Sequence, residues 1–320
     1  MKHKNGVMSV KAIIEKITEQ IQEGIYPGAS LALYRKGQWS EHYLGLADPE
    51  KGEPVVADLV YDLASVSKVV GVATICAFLY AKGELALDRP FKEFYPRFAH
   101  EKTTIRELLT HTSGLDPFIP NRDQLDARQL KTALENLQLK ENKSFHYTDV
   151  NFLLLGFWLE DRFHQPLDRL FDELIFTPWK MTETRFGPVE KAVPTVRGLA
   201  SGSVHDPKAR VLGCHAGSAG LFSTVADLER FLEHYLKDNF ARDLSQNFAR
   251  EEGKTRALGW NLEGDWLDHT GYTGTFIMYN RKRQEAVIFL SNRTYEKDER
   301  AQWILDRNGL MDLIKQEFEK

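Results

Sequence analysis

The sequence predicts an α+β protein in which an antiparallel sheet of about five strands has helices on both faces and is joined to an all-helical second lobe. Two observations predict this class. Strand patterns occur near both ends of the chain, and between residues 87 and 194 they nearly vanish in favour of short helical patterns. Residues 1–86 and 195–320 would therefore form one α/β lobe, and residues 87–194 the helical lobe. Ligand sites often lie in the cleft between two such lobes.

The first eighty residues predict a helix, a hairpin and a second helix. The first helix is amphipathic, and its apolar positions are Val10, Ile13, Ile14, Ile17 and Ile21. Gly24 follows it as a suitable C-terminal cap. Residues 29–45 alternate apolar and polar side chains around Lys36-Gly37, which predicts a β-hairpin. Residues 66–80 are apolar on nearly every side and predict a buried helix.

The rest of the chain predicts helices first and strands later. Helical patterns cover residues 104–110, 123–139, 150–160 and 166–176, the last with Pro166 at its start. Residues 258–262, 268–280 and 285–292 predict three antiparallel strands, with a turn at residues 281–284. A helix from about Asp298 closes the chain, with Gly309 as a candidate break.

The composition is that of an ordinary globular protein, with 42% hydrophobic and 28% charged residues among 320 and a net charge of −4. Such a balance gives no reason to expect nucleic acid or an anionic membrane as a partner. The two cysteines suggest no disulfide framework, no Cys/His cluster has the spacing of a structural zinc site, and neither a metal nor a cofactor is expected. The N-terminus lacks the apolar segment of a signal peptide, and the longest apolar run, residues 69–81, is judged too short for a bilayer. We therefore expect a cytoplasmic protein.

Ser65 and Lys68 are the most informative pair in the chain. Residues three apart on a helix share a face, so the lysine amine can reach the serine hydroxyl and act as its base. The helix N-terminus would direct free N–H groups at whatever the serine attacks. Spacing alone is weak, because about one such pair is expected by chance and a solvated lysine beside an N-cap serine is the alternative. The apolar helix favours a functional lysine, because burying its charge is costly without a partner.

Tyr147 and Asp149 directly precede the apolar helix pattern that begins at Val150. A tyrosine oxygen can carry a proton between the serine, a leaving group and water, and a nearby lysine ammonium stabilises the phenolate form. Asp149 could pair with Lys68. The alternative for Asp149 is an N-cap of the following helix, and one carboxylate could fill both roles.

His269, Thr270 and Gly271 lie on a predicted strand. A strand edge could supply a backbone N–H to an oxyanion hole, and Gly271 would allow a substrate to approach closely. His269 and Thr270 would direct polar groups at the cleft. Taken alone, this segment is more simply interpreted as a glycine-marked turn or bulge with a half-buried histidine.

In chain order, Ser65-Val-Ser-Lys68, Tyr147-Thr-Asp149 and His269-Thr-Gly271 resemble the S-x-x-K, Y-x-N and K-T-G signatures of the serine β-lactamase / penicillin-binding protein superfamily. The resemblance is closest to its class C-like branch of β-lactamases, DD-peptidases, esterases and amidases. Residues 108–115, 151–156 and 217–224 also resemble that branch, and the resemblance extends over about residues 13–292. It implies a β-lactamase/transpeptidase-like fold, with an α/β lobe and a helical lobe.

The resemblance implies a role for each matched residue. Ser65 would be the acylated nucleophile, Lys68 its base and Tyr147 the proton shuttle. The oxyanion hole would consist of the backbone N–H groups of Ser65 and Tyr272.

Two positions depart from the family pattern. Asp149 replaces asparagine, and its charge should favour the charged form of Lys68 and weaken that lysine as a base. His269 replaces lysine, and a neutral imidazole holds a substrate carboxylate less well. Thr270 and Gly271 match the family and would support the site. These departures disfavour a dedicated β-lactamase, whereas the variants resemble those of esterase-like and peptidase relatives.

We therefore expect a serine hydrolase that acts through an acyl-enzyme on an amide or ester. A peptidoglycan-fragment amide is the leading substrate, of the muramyl-alanine amidase or D-alanyl peptidase type. A small-molecule carboxylesterase and a β-lactamase are the alternatives, and a non-catalytic penicillin- or muropeptide-binding protein is the alternative of another class. The expected partner is a small-molecule or muropeptide substrate, and the protein is expected to be a monomer or weak homo-oligomer.

Several other polar residues are given structural roles. His205 and Asp206 resemble a run in the cell-wall-recycling branch and could line the cleft, but Asp-Pro favours a turn. His111 is expected to end a helix, and Thr224 to cap the helix that follows it.

Overall fold

The computed structural model describes residues 4–320, which form strands mainly near the two ends of the chain and helices between them. The helices are α1 Lys4–Gln22, α2 Thr74–Ala81, α3 Ile105–Leu109, α4 Ala127–Glu135, α5 Val150–Phe163, α6 Leu167–Phe171, α7 Pro207–Leu212, α8 Val225–Lys237 and α9 Arg300–Glu319. The strands are β1 Gly28–Arg35, β2 Gln38–Asp48, β3 Glu53–Pro54, β4 Tyr61–Asp62, β5 Arg185–Phe186, β6 Leu221–Ser223, β7 Asn261–Glu263, β8 Trp266–Thr270, β9 Phe276–Asn280 and β10 Glu285–Ser291.

The main sheet is antiparallel and has the order β3-β2-β1-β10-β9-β8-β7, so both ends of the chain contribute to it. This confirms the α+β class, but the sheet has seven strands rather than about five. The predicted strand over residues 268–280 is in fact two strands, because the chain turns between Thr270 and Phe276, where Gly274 has a φ of +105°. Strand β3 adds a short edge that the sequence pattern did not indicate. A smaller sheet, β4-β6-β5, lies beside the main one.

Helices cover both faces of the main sheet, as predicted. Alternate residues of the central strand β1 face opposite ways. Leu31 and Leu33 pack in the cluster formed with α1 and α9, whereas Ala32 and Tyr34 face the larger core that contains α8. Because both faces are covered, the strand is apolar almost throughout.

Several local predictions are confirmed, and others are wrong in extent. The first hairpin turns at Lys36 and Gly37, with φ values of 53° and 82°. The helix predicted over residues 123–139 is shorter, because α4 begins only after Asp126, whose side chain accepts a hydrogen bond from the Gln129 N–H. Helix α9 continues without a break through Gly309. The lobe limits at residues 87 and 194 stay a prediction.

The helix predicted over residues 66–80 begins with a tight turn at Ala64–Val66, widens over Val69–Ala73 and continues as α2. Its span Ala64–Ala81 is long and apolar enough to cross a membrane by length and composition, which corrects the judgement that this run is too short. However, 78% of the span is buried inside the protein, as in a core helix. The expected cytoplasmic location stays a prediction.

Candidate active site

The turn that presents Ser65 is held by a buried carboxylate. Asp62 accepts hydrogen bonds from the backbone N–H of Ala64 at 2.8 Å and of His205 at 2.7 Å. Ala64 has a φ of +46°, a left-handed conformation that costs a non-glycine residue about 1–2 kcal/mol. The Asp62 contacts help to offset that cost, and they also tie the nucleophile turn to the loop that carries His205.

Lys68 is fully buried and contacts three oxygen atoms. Its Nζ lies 2.8 Å from Ser65 Oγ, 2.7 Å from Asp149 Oδ1 and 2.9 Å from the Ser218 carbonyl oxygen. An ammonium group has three N–H donors, so these contacts satisfy all of them. Burial alone would lower the pKa of Lys68, but attraction to Asp149 and Tyr147 outweighs burial and raises the pKa above the ordinary lysine value. Lys68 is therefore positively charged in the free protein and donates a hydrogen bond to Ser65.

Asp149 joins Lys68 to a second lysine. Its Oδ2 lies 3.0 Å from Lys208 Nζ, and Lys208 in turn lies 3.3 Å from Asp206 Oδ2. Burial would raise the pKa of Asp149, but the two ammonium groups hold it well below the usual range. Asp149 stands at the N-cap position of α5, as the alternative had it, but its side chain makes no capping hydrogen bond there. Two lysines and two aspartates thus form a chain of alternating charge beside Ser65.

Lys208 was missed by the sequence reasoning, although its neighbours were considered. Asp206 caps α7 by accepting a hydrogen bond from the Ala209 N–H at 2.8 Å, which confirms a structural role. His205 and Asp206 nevertheless also line the cleft at Ser65. The available signal was a lysine two residues after an aspartate that already resembled a family segment.

Tyr147 lies between Lys68 and two imidazoles. Its ring centroid is 5.3 Å from Lys68 Nζ, 4.5 Å from the His111 ring and 6.0 Å from the His269 ring. The side chain is 37% exposed, and it lines the same cleft as Ser65. A substrate in the cleft could therefore contact both the serine and the phenol.

His111 ends α3 as predicted, with a φ of 57°, but it also supports Tyr147. Its Nδ1 lies 3.4 Å from the Thr148 N–H donor and 3.1 Å from Asn151 Nδ2, so this nitrogen is an acceptor. Burial, together with the charge of Arg256, places the pKa of His111 well below its ordinary value. The ring is therefore neutral, and this second role could not be inferred from the sequence pattern.

His269 lies near the end of β8 and is almost fully buried, more than the half-buried position expected. Its Nδ1 is 3.2 Å from the Thr270 carbonyl oxygen, and its Nε2 has no hydrogen-bond partner within residues 4–320. Burial, followed by the charges of Lys68 and Arg256, lowers the pKa of His269 well below its ordinary value. The position that holds lysine in the family pattern is thus occupied by a neutral group.

The segment after His269 is a glycine-marked turn that packs against the turn presenting Ser65. A Cβ on Gly271 would lie 2.1 Å from Thr275 Oγ1 and 2.6 Å from the Leu63 carbonyl oxygen, so only glycine fits. The Gly271 N–H donates to the Thr275 carbonyl at 2.6 Å. In the described part of the chain, no hydrogen bond is donated by the backbone N–H of Ser65 or Tyr272. These two groups are available to an oxyanion, and their role stays a prediction.

Two spaces meet at Tyr147. A cleft of about 610 Å³ is lined by Ser65, Asp149, Lys208 and Tyr272, and a second space of about 380 Å³ extends past His269 towards α9. The structure thus brings together all of the predicted site residues, which are Ser65, Lys68, Tyr147, Asp149, His269, Thr270, Gly271 and Tyr272.

Comparison with known proteins identifies the family. The model of the Beta-lactamase family matches residues 13–310. A protein of Escherichia coli (strain K12), provisionally named a D-alanyl-D-alanine carboxypeptidase, is 27% identical over an alignment that covers 87% of this chain and 81% of that protein. The structure of a β-lactamase/D-alanine carboxypeptidase from Pseudomonas syringae aligns with a TM-score of 0.76 at 19% identity, over 97% of this chain and 99% of the other. A hydrolase with promiscuous acyltransferase activity, EstCE1, aligns with a TM-score of 0.74 at 20% identity, over 96% and 98% of the two chains. The chain therefore belongs to the Beta-lactamase family, as a serine hydrolase.

Proposed function

We propose that the protein hydrolyses an amide or ester through a covalent acyl-enzyme formed on Ser65. The observation that carries this proposal is the 2.8 Å hydrogen bond from the buried Lys68 ammonium to Ser65 Oγ. A cation held there stabilises negative charge on the serine oxygen as it attacks a carbonyl carbon.

The charged state of Lys68 changes its proposed role. A lysine that is already protonated cannot accept the serine proton without first losing one, so the expected role as base passes to Tyr147. The Tyr147 oxygen relays the proton from Ser65 to the leaving nitrogen or oxygen, as the bond to the carbonyl carbon breaks. In the second half of the cycle Tyr147 takes a proton from water, the resulting hydroxide attacks the acyl carbon, and the proton returns to Ser65.

The tetrahedral intermediate carries its negative charge on the former carbonyl oxygen. The backbone N–H groups of Ser65 and Tyr272 are proposed to donate hydrogen bonds to it. Removing one donor of an oxyanion hole typically lowers the rate by about 100- to 1,000-fold. Gly271 contributes by allowing the strand end to approach the nucleophile turn.

The proposed substrate is an amide in a peptidoglycan fragment, of the D-alanyl peptidase or muramyl-alanine amidase type. The provisional name of the Escherichia coli relative supports the first of these. A small-molecule ester is the second candidate, because the neutral His269 gives the strand end no permanent charge with which to hold a substrate carboxylate. The same neutrality disfavours a dedicated β-lactamase.

Intact-protein mass spectrometry tests nucleophile and substrate together. The protein is incubated with a muropeptide, a p-nitrophenyl ester and a chromogenic cephalosporin, and the mass gain and turnover are recorded. Ser65→Ala should abolish both, whereas Ser67→Ala, whose hydroxyl accepts a hydrogen bond from the Leu221 N–H, should still be acylated. Turnover by Ser65→Ala would refute the assignment, and acylation without turnover would indicate the non-catalytic binding protein.

A further inference from the structure

The second proposed oxyanion donor, the Tyr272 N–H, belongs to a tight turn beside the nucleophile. The Gly274 N–H donates to the Gly271 carbonyl at 3.2 Å, which closes a four-residue turn with Tyr272 as its second residue. The carbonyl and the N–H of a trans peptide point in opposite directions, so a Gly271 carbonyl that faces into the turn leaves the Tyr272 N–H facing outward. Tyr272 lines the cleft of about 610 Å³ together with Ser65. The direction of this N–H therefore depends on the conformation of the turn.

Arg293 lies two residues after β10 and holds the next peptide of the turn. Its Nε and Nη2 donate to the Tyr272 carbonyl oxygen at 3.1 Å and 2.6 Å. A carbonyl oxygen has two lone pairs, so one guanidinium occupies both. The backbone N–H of Arg293 also donates to the Thr273 carbonyl at 3.0 Å. Arg293 is only 2% exposed, and an arginine so deeply buried requires partners for its charge and its donors.

A carboxylate completes a closed ring of contacts around Tyr272. Arg293 Nη1 lies 2.6 Å from Asp298 Oδ1, and the Tyr272 hydroxyl donates a hydrogen bond to Asp298 Oδ2. The Arg293 Cζ atom also lies 4.9 Å from the centre of the Tyr272 ring. Tyr272 is thus held at its carbonyl, its ring and its hydroxyl by the same two residues. Hydrogen bonds to charged groups are short and strong, so these contacts restrict rotation of the backbone at Tyr272.

Two threonine hydroxyls tie this turn to the turn that presents Ser65. They belong to Thr273 and Thr275, which donate to the Asp62 and Leu63 carbonyls at 2.8 Å and 3.0 Å. The threonine contacts fix the distance between the two proposed oxyanion donors, and the Arg293 contacts fix the orientation of the second one. Rotation of the peptide between Gly271 and Tyr272 would instead turn a carbonyl oxygen toward the developing negative charge, which would oppose the reaction.

We propose that Arg293, braced by Asp298, is the positioning residue of the oxyanion hole and orients the Tyr272 N–H toward the tetrahedral intermediate. In this role Arg293 acts through the backbone of Tyr272 rather than by contact with the substrate. The inference rests on the proposed function, because the orientation of this N–H matters only if negative charge develops on a carbonyl oxygen at Ser65. A donor that is already oriented needs no reorganisation when the charge forms, whereas a mobile donor loses part of its effect.

The test observes the hydrogen bonds to the acyl carbonyl directly. The protein is acylated with a p-nitrophenyl ester labelled with carbon-13 at its carbonyl, and the carbonyl stretch of the acyl-enzyme is recorded by rapid-mixing infrared spectroscopy. Arg293→Met, which removes every donor, should move this stretch to higher frequency, because a weaker hydrogen bond polarises the carbonyl less. It should lower kcat by about ten- to a hundredfold with KM nearly unchanged, less than the loss of a whole donor, because the N–H itself remains.

Two milder variants and a control accompany it. Arg293→Lys keeps the charge and one donor, and should recover part of both losses. Asp298→Asn removes the bracing charge at a position that is 43% exposed, and should lower kcat by up to about fivefold with a smaller shift of the stretch. Arg197→Gln is the matched control, because it breaks an arginine–carboxylate pair with Glu296 in the same loop. Within residues 4–320, Arg197 makes no hydrogen bond to the turn at residues 271–274, so this variant should keep the wild-type stretch and kcat.

A wild-type stretch in the Arg293→Met acyl-enzyme would overturn the proposal even if kcat fell, because Arg293 would then serve something other than the oxyanion donor. The same shift in Arg197→Gln would also overturn it, because a general loosening of the loop would explain the loss. If Arg293→Met does not fold, a wild-type stretch in both Arg293→Lys and Asp298→Asn would have the same meaning. In each of these cases a Ser65 acyl-enzyme in the wild type leaves the hydrolase mechanism standing. Failure of every acyl donor to modify Ser65 would reject both.

Discussion

Replacing Asp149 with asparagine tests whether Lys68 acts in the reaction as a charged ammonium or as a neutral base. The carboxylate lies 2.7 Å from Lys68 Nζ, and in the free protein it keeps that lysine charged against the effect of burial. Asparagine has nearly the same shape and retains an oxygen that can accept one hydrogen bond, but it carries no charge. The substitution therefore tests the charge of Lys68 with little change in packing.

The size of the expected change in the Lys68 pKa follows from the distance between Lys68 and Asp149. Two unit charges 2.7 Å apart attract by about 6 kcal/mol at an effective dielectric constant of about 20. Asp149 is one-quarter exposed and the asparagine amide keeps a hydrogen bond to Lys68. The electrostatic stabilisation that the Lys68 ammonium loses should therefore be smaller than this. A shift of about 1–3 pKa units downward is expected, or about 1.4–4 kcal/mol.

The assay is kcat/KM for a p-nitrophenyl ester between pH 6 and pH 9.5. If Lys68 acts as an ammonium, Asp149→Asn should not raise kcat/KM at pH 7, because the lysine remains charged there. Activity should instead fall at the alkaline end, as the pH approaches the lowered pKa of Lys68. Asp206→Asn is the matched control, since it makes the same chemical change at a carboxylate that contacts Lys208 rather than Lys68.

A rise in kcat/KM at pH 7 would refute the role of Lys68 as an ammonium. If neutral Lys68 were the base, a pKa lower by 1–3 units would raise its neutral fraction at pH 7 by about 10- to 1,000-fold. A rise in kcat/KM of tenfold or more in Asp149→Asn, absent from Asp206→Asn, would return the role of base to Lys68.

Three further substitutions test the charge network and the packing of the core. Lys208→Met should lower kcat/KM by about tenfold at pH 7. Because Lys208 and Asp149 are in contact, its effect should not add to that of Asp149→Asn, and a double-mutant cycle should give a coupling of about 1 kcal/mol or more. Strictly additive effects would mean that the two residues act independently. Gly71→Ala should lower the free energy of unfolding in urea by about 1–3 kcal/mol, because its Cβ would lie 2.4 Å from the Phe171 ring. Gly309→Ala, in a helix with no atom within 4 Å of the new Cβ, should instead raise the free energy of unfolding by about 0.5–1 kcal/mol, and equal losses in both variants would contradict the packing argument.

Local patterns in the sequence were sufficient for much of the fold. Helix α5 and the first hairpin were predictable because their signals, an apolar run behind a polar boundary and a Lys-Gly turn between alternating arms, are short-range. The strand count was not, because Gly271 and Gly274 indicate only a possible turn or bulge, and the turn after Thr270 is stabilised by contacts to the distant Leu63 carbonyl and Ser291 hydroxyl. Strand boundaries of this kind depend on tertiary packing rather than on propensity.

The sequence alone determined that a Ser-Lys pair, a tyrosine and a His-Thr-Gly segment occur in the order of a serine hydrolase, because these signals are residue types at short, regular spacings. Only the tertiary structure decided the charge of Lys68 and the chemistry open to it. That charge depends on the distance from Lys68 to Asp149, 81 residues away, and on Lys208, which binds the same carboxylate from helix α7. The space of about 380 Å³ past His269 likewise exists only where β8 meets the C-terminal helix, and no local pattern indicates that Arg256 is buried in its wall. Burial and electrostatic interaction depend on distance in space, and spacing along the chain does not specify it.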